Sequence, residues 1–225
     1  MTATTPTTPT TSTHHLNGRA TRTTLALCLL AAGVVLPTIG CSSSSTRSGS
    51  NNINEIDPAM AYARQRHVDA LEHYNTASQL HLDDKPDEAL AEYRIALELD
   101  NKLFAAWNNM GQLLMAEGNN QQAMNAYQIA SGLEPTDPRP EYNIGIIYQK
   151  LGWAKDSYEH FEMAIARDAN YLPALHGVIR SAEMLGIGDA KILNYIRNAQ
   201  LRETDDQWRE YLSTQHYRVQ ALIDN

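Results

Sequence analysis

Residues 104–137 read FAAWNNMGQLLMAEGNNQQAMNAYQIASGLEPTD, and this stretch predicts a pair of antiparallel helices. In its first half Trp107, Gly111 and Leu114 fall at positions i, i+4 and i+7, which lie on one face of a helix. Gly111 has no side chain, so a partner helix can approach closely there. Gly118 then ends the first helix, because glycine readily adopts the positive φ found at many helix C-termini.

The second half of the stretch predicts the partner helix. Ala123, Tyr127 and Ala130 again follow helical spacing. The alanines permit close contact, and the Tyr127 ring fills the space between the helices. Pro135 ends this helix, because proline cannot continue a helical hydrogen-bond ladder.

The same pattern recurs every 34 residues along the chain. A period of this size is typical of solenoid proteins, in which each helix pair packs on the next. The registers that share the period are Asn75, Asn109 and Asn143; Ala77, Gly111 and Gly145; Ala89, Ala123 and Ser157; Tyr93, Tyr127 and Phe161; and Ala96, Ala130 and Ala164.

The repeat resembles the tetratricopeptide repeat (TPR). The resemblance implies an all-α fold, a right-handed superhelical solenoid of antiparallel helix pairs. Residues 70–103, 104–137 and 138–171 form three clear units, and residues 172–203 form a degenerate fourth. The residues of the middle unit that match the TPR signature are Trp107, Met110, Gly111, Leu114, Ala123, Tyr127, Ala130 and Pro135.

Both ends of the predicted array, residues 57–203, carry capping signals. Asp57 and Pro58 suit the N-cap and first positions of a helix that runs to about Leu82. Thr204 and Gln207 form a capping box before a last helix in residues 204–225. That helix is expected to cover the open end of the stack with Trp208, Leu212, Val219 and Leu222.

In the TPR family the first helix of each pair lines a concave groove that binds peptides or helices. In this chain the groove positions hold tyrosines, arginines and amides among other residues. Tyr and Arg are typical interface anchors and amides can pair with a peptide backbone, so this mixture suits protein recognition. The alternative is that these are ordinary solvated positions. By position, the groove is expected to contain Tyr74, Ser78, His81, Asn108, Asn109, Gln112, Met115, Arg139, Tyr142, Ile146, Gln149, His176 and Arg180.

A subset of the family clamps a C-terminal carboxylate with Lys and Asn side chains. Asn109 and Arg139 match that pattern, whereas Tyr74, Ser78 and Asn143 depart from it. The sequence therefore argues against this clamp. Arg139 and Arg180, two basic groove residues in an acidic protein, still favour a ligand that carries a carboxylate. We also expect Arg139 and Tyr142 to be solvent-facing anchors.

Composition excludes several classes of function. The formal net charge is −8, and residues 41–225 hold 16 basic and 26 acidic residues, a net charge of −10. An acidic chain without a Lys/Arg cluster is a poor candidate for binding nucleic acid or an anionic membrane surface.

Residues 1–40 are similar to the signal peptide of a bacterial lipoprotein. Arg19 and Arg22 precede an apolar run of 12 residues, LALCLLAAGVVL at 25–36. The run is too short to cross a hydrocarbon core, which needs about 20 residues. It is typical of a secretory signal.

The sequence TIGC at residues 38–41 resembles a lipobox, which implies cleavage before Cys41 and acylation of Cys41 with palmitate-type chains. The alternative is an ordinary signal peptide with a chance cysteine. Two or more acyl chains anchor a protein stably. In the lipoprotein family an Asp after the cysteine retains the protein in the inner membrane, so the resemblance, with Ser42 at that position, implies the outer membrane, facing the periplasm. Residues 41–56 are expected to form a tether with a reach on the order of 20 Å.

No pattern for catalysis, a metal or a cofactor emerges. The acidic stretch at residues 83–88 lacks calcium-loop spacing and falls on a turn between helices. His160 is not part of a zinc-protease motif and is expected on a polar face, and Cys28 and Cys41 are the only cysteines.

Together these features predict a non-enzymatic, lipid-anchored scaffold or adaptor of the bacterial cell envelope. It is similar to the small TPR lipoproteins that help to build pili and secretion channels, or that organise cell-wall enzymes, and its partners would be other envelope proteins. One alternative is a binder of cell-wall glycan or peptide fragments, which would favour a more aromatic groove. Another is a hydrolase on a repeat scaffold, for which no catalytic constellation is found.

Overall fold

The structure, a computed structural model, describes residues 57–225. The expected signal peptide, Cys41 and the tether lie outside these residues. Nine α-helices and no strands make up the described part of the chain. The helices are α1 Pro58–Leu82, α2 Pro86–Leu99, α3 Phe104–Ala116, α4 Asn120–Leu133, α5 Arg139–Lys150, α6 Ala154–Arg167, α7 Leu172–Leu185, α8 Ala190–Gln200 and α9 Asp206–Ile223.

The helices pack in consecutive pairs, from α1 with α2 to α7 with α8. The first helices also contact one another across pairs, α1 with α3, α3 with α5, and α5 with α7. The second helices α2, α4, α6 and α8 make no such contacts with each other. The first helices therefore line the inner, concave side of the curve. The predicted solenoid of antiparallel helix pairs is confirmed.

The core consists of two apolar clusters, one around Tyr93 and Tyr127 and one around Phe161. All three rings are fully buried, as the repeat pattern predicts. A Cβ on Gly111 would lie only 2.7 Å from the Tyr127 ring, so glycine is required there for close contact. A Cβ on Gly177 would come within 2.6 Å of the Phe161 ring, which joins the third and fourth units. Residues 52–225 form one compact unit that contains both clusters.

The helix ends follow the sequence with one exception. Asp57 caps α1 by accepting a hydrogen bond from the backbone N–H of Ala59 (2.9 Å), and α1 ends at Leu82. The predicted N-cap Thr204 is wrong. Asp205 caps α9 instead, and its carboxylate accepts from the N–H of Trp208 (3.0 Å). Glu203 Oε1 accepts the N–H groups of both Thr204 and Asp205 (2.8 Å each), which holds Thr204 before the helix.

The last helix, α9, covers the second core cluster. Leu212 and Val219 are fully buried, whereas Leu222 is half exposed. None of the helices in residues 57–225 combines the length and apolarity that a membrane span requires.

A buried carboxylate joins the second and third units. Glu141 on α5 accepts hydrogen bonds from Ser131 Oγ on α4 (2.7 Å) and Arg167 Nη2 on α6 (2.7 Å), and His160 Nδ1 lies 2.8 Å from it. Burial alone would raise the pKa of Glu141, but the contacts with His160, Ser131 and Arg167 outweigh it and hold the pKa below its usual range. His160 is half-buried in this cluster, and the neighbours that it meets there are polar.

Candidate partner-binding groove

The concave side carries two cavities, and ten of the thirteen predicted groove residues line them. The N-terminal cavity, about 300 Å³, lies between α1 and α3, and the C-terminal cavity, about 360 Å³, lies between α5, α7 and α9. The N-terminal cavity is lined by Tyr74, Ser78, His81, Leu82, Tyr93, Asn109 and Gln112. The C-terminal cavity is lined by Tyr142, Ile146, Gln149, Leu172, Pro173, His176, Gly177, Arg180 and Trp208.

The polar groups of the N-terminal cavity bond largely to each other. Ser78 Oγ donates to the backbone carbonyl of Tyr74 (2.9 Å) and lies 3.3 Å from the hydroxyl of Tyr93. Asn109 Nδ2 donates to the Tyr74 hydroxyl (3.4 Å). Among the residues that line this cavity, the side chains of His81 and Gln112 make no hydrogen bond within residues 57–225, so the free groups of the cavity are these two.

The C-terminal cavity is built around the indole of Trp208. The His176 ring stacks on it with a centroid distance of 3.6 Å and an interplanar angle of 9°. The guanidinium of Arg180 packs on the same indole, 4.4 Å from the ring centroid. Cation–π packing of this kind holds an arginine in place without neutralising it.

Arg180 is the cation of the C-terminal cavity. Among residues 57–225 it has no ion-pair partner and no hydrogen bond, and its side chain is exposed. His176 Nε2 lies 2.7 Å from Glu203 Oε2 in a buried contact that is not aligned as a hydrogen bond. Burial lowers the pKa of His176 although Glu203 opposes this, so His176 is neutral near pH 7. Burial also raises the pKa of Tyr142, whose hydroxyl stays a neutral donor.

Three predicted groove residues lie outside both cavities. Asn108 is only 2% exposed, and its amide oxygen accepts from Asn143 Nδ2 (3.4 Å), so its place in an open groove is wrong. Met115 packs against the first core cluster. Arg139 is exposed but pairs with Asp137 (2.6 Å) and lies over the Phe104 ring (5.2 Å).

Two features of the cavity differ from expectation. Tyr142 is half-buried rather than solvent-facing, and it packs against Phe161 and Tyr171 with ring centroids 5.8 and 5.5 Å away. Trp208 was expected only to cover the stack. Its role follows from treating α9 as the first helix of a further pair, whose first turn then faces the groove. Within residues 57–225 no cluster of three or more His, Cys, Asp or Glu side chains could hold a metal ion.

Comparison with known proteins supports the repeat. Residues 111–152, from the second half of α3 through α5, match the sequence profile described as TPR repeat. The array is a TPR-type solenoid. Human Superkiller complex protein 3 is 28% identical over 118 residues, which are 50% of this chain and 8% of that protein. The matched segments thus span less than a tenth of the first curated TPR relatives.

Solved TPR structures share the fold. YrrB, described as a TPR protein with an unusual peptide-binding site, has a TM-score of 0.57 and 19% identity, and the match covers 74% of this chain and 84% of YrrB. The first TPR of Spaghetti (RPAP3), bound to the HSP90 peptide SRMEEVD, has a TM-score of 0.51 and 15% identity over 53% of this chain and 95% of that domain.

Proposed function

We propose that the chain is a non-catalytic protein-binding scaffold whose concave side receives a segment of a partner protein. The observation that carries the proposal is the convergence of ten register-predicted residues on two concave cavities. YrrB and the Spaghetti domain, which share the fold, are described with a peptide-binding site and a bound peptide.

The chemistry of the C-terminal cavity favours an acidic partner segment. Arg180 is an unpaired cation in the described part of an acidic chain, and Tyr142 and Gln149 add neutral hydrogen-bonding groups. Ile146 and Leu172 supply apolar surface beside them. A carboxylate with a neighbouring apolar group would satisfy these side chains, because hydrogen bonds between charged partners are the strong ones.

Site-specific photocrosslinking tests the proposal. A photoreactive residue in place of Gln149 should capture the partner in the native cell, followed by identification of the adduct by mass spectrometry. The same residue at Asn194, exposed on α8 outside both cavities, is the matched control. Capture from Asn194 with none from Gln149 or Gln112 would place the binding site on the outer side.

We also propose that the scaffold works at the bacterial cell envelope, anchored through Cys41 and facing the periplasm from the outer membrane. Support comes from the apolar run at 25–36 and the TIGC sequence at 38–41. Partners would then be envelope proteins, in pilus or secretion assembly or among cell-wall enzymes. Cys41→Ser should release the protein from membranes. If the variant fractionates and migrates like the wild type, the proposed lipid anchor is wrong.

A second candidate function is the binding of cell-wall glycan or peptide fragments. The contribution of Trp208 favours it, since the C-terminal cavity is more aromatic than the sequence indicated. Aromatic faces suit sugar rings as well as peptides. Calorimetric titration with soluble muropeptides tests this candidate, and heat that disappears in Trp208→Ala would support it over a protein partner.

A further inference from the structure

The hydroxyl of Tyr127 is a buried hydrogen-bond donor without a partner. The residue is fully buried, and its hydroxyl makes no hydrogen bond with any group of residues 57–225. Burial raises the pKa of Tyr127, so the hydroxyl keeps its proton near neutral pH and stays able to donate. An unsatisfied buried hydroxyl costs stability, and most buried polar groups are bonded. The core of the second unit therefore retains a group that weakens it.

The Tyr127 ring brings this hydroxyl up to α3, one of the helices that line the concave side. The ring carbon that bears the hydroxyl, Cζ, lies 3.0 Å from the place that a Cβ on Gly111 would occupy. The next residue of α3, Gln112, lines the N-terminal cavity. The hydroxyl thus lies against the backbone of α3, one residue before a side chain of the groove.

The first unit shows how a hydroxyl at this place is used. Tyr93 and Ser78 precede Tyr127 and Gln112 by 34 residues each, so the two pairs are equivalent in the repeat. In the first unit the Tyr93 hydroxyl lies 3.3 Å from Ser78 Oγ, within hydrogen-bond distance. The equivalent partner of the Tyr127 hydroxyl is the side chain of Gln112.

The third unit supports the same pairing by contrast. Its equivalent residues are Phe161, which has no hydroxyl, and Ile146, which has no polar group. In each of the three clear units the buried ring therefore carries a hydroxyl where the groove residue opposite it is polar, and carries none where that residue is apolar.

Gln112 has the chemistry to link the buried hydroxyl to a ligand. Its side chain is partly exposed and makes no hydrogen bond within residues 57–225. It is longer than the serine of the first unit and reaches farther from the same place. A side-chain amide carries one acceptor oxygen and one donor NH₂ group, so it can accept from a hydroxyl and donate to a second group at the same time.

We infer that Tyr127 is a positioning residue of the concave groove: when a partner segment binds, its hydroxyl donates to the amide oxygen of Gln112 and so directs the amide NH₂ toward a backbone carbonyl of that segment. The inference rests on the proposed function, because it requires a segment on the concave side. Binding satisfies the buried hydroxyl, and the stability that this group costs the free protein returns as affinity for the partner.

Tyr127→Phe tests the inference, and Phe161 shows that the repeat accepts phenylalanine at this place. Without a partner, removal of the unsatisfied hydroxyl should raise the melting temperature by about 2–5 °C, measured by circular dichroism. The same variant should bind the partner segment about fivefold more weakly, the effect of one lost hydrogen bond. A purely structural role would change the melting temperature and leave the affinity as it is.

The probe for affinity is the segment captured from Gln149, made as a fluorescein-labelled peptide and titrated by fluorescence anisotropy. Gln112→Leu should weaken binding about as much as Tyr127→Phe, and the double variant no more than either single one, because the two groups act through one contact. Tyr195→Phe is the matched control. Its hydroxyl donates to Glu162 (3.2 Å) outside both cavities, so this variant should keep the affinity and should not melt at a higher temperature.

Three results overturn the inference while the proposed function stands: capture from Gln149 with unchanged affinity in Tyr127→Phe, losses that add in the double variant, or equal losses in Tyr195→Phe. A melting temperature that Tyr127→Phe fails to raise also overturns it, and that measurement needs no partner. If the concave positions Gln149 and Gln112 capture no segment, the proposed function fails and the inference fails with it.

Discussion

The two concave cavities occupy equivalent places in the repeat, yet they differ in how much of their bonding is already used. In the N-terminal cavity Ser78, Tyr74 and Asn109 bond to one another. In the C-terminal cavity Arg180 rests on Trp208 without a charged partner in the described chain. The same register can therefore place a neutral amide, Gln112, or a cation, Arg180, on the concave side.

The largest expected effect comes from Trp208→Ala. The substitution removes the stack on His176 and the support of Arg180, and truncation of such an anchor often costs about 2 kcal/mol, roughly thirtyfold in affinity. Tyr74→Ala is the counterpart in the N-terminal cavity, where Tyr74 packs on Tyr93 (6.0 Å). It should change affinity less than about threefold. Fluorescence anisotropy with the captured partner segment measures both, and equal losses would abolish the distinction.

Arg180→Gln should weaken binding by about tenfold, because a hydrogen bond to a charged group contributes about 1.5–3 kcal/mol. Arg139→Gln is matched in chemistry but removes only an exposed ion pair with Asp137, a contact of about 0–1 kcal/mol, so affinity should stay within about twofold. Added salt should weaken the wild type more than Arg180→Gln. A larger loss of affinity in Arg139→Gln than in Arg180→Gln would mean that the acidic group of the partner binds at the start of α5.

The pH dependence of stability should report on the C-terminal cavity. Burial lowers the pKa of His176 below its ordinary value of 6.5, with Glu203 opposing and Arg180 adding to the shift. The unfolded chain then binds this proton more readily, so stability is present above pH 6.5 and is lost as pH falls toward the folded-state pKa. His176→Gln should reduce the drop in melting temperature between pH 7.5 and 5.5. If the drop in melting temperature is unchanged in the variant, titratable groups other than His176 cause it.

The smallest effect is expected from Ser78→Ala. Its hydroxyl is used within α1, where it donates to the carbonyl of Tyr74, so a ligand gains little from it. Affinity for the partner segment should change less than twofold in the anisotropy titration. A tenfold loss would make the N-terminal cavity the main binding site.

The sequence predicted the fold well because one spacing governs it. The positions of Tyr93, Tyr127 and Phe161 in the repeat required their burial, and each was found buried. Contacts between individual side chains of neighbouring units were not predicted, because they depend on the angle between units, which periodicity does not encode. Asn108 is buried because Asn143 of the next unit reaches it, and Thr204 is displaced as a cap by the carboxylate of Glu203.

The candidate site was predicted in part. Register alone placed Tyr142, His176 and Arg180 in one cavity, since the repeat stacks them on neighbouring first helices. The sequence gives no sign that Arg139 is already paired, because its partner Asp137 is held in the preceding turn. Trp208 was missed because α9 was interpreted only as a cover.

The buried cluster around Glu141 has a mechanical consequence. One carboxylate receives donors from α4 and α6, and Arg167 also holds the carbonyl of Asp137 between the two units (3.0 Å). Apolar neighbours can slide over each other with little change in energy, whereas these bonds fix a direction. We therefore expect the bend between the second and third units to change little when the solenoid flexes.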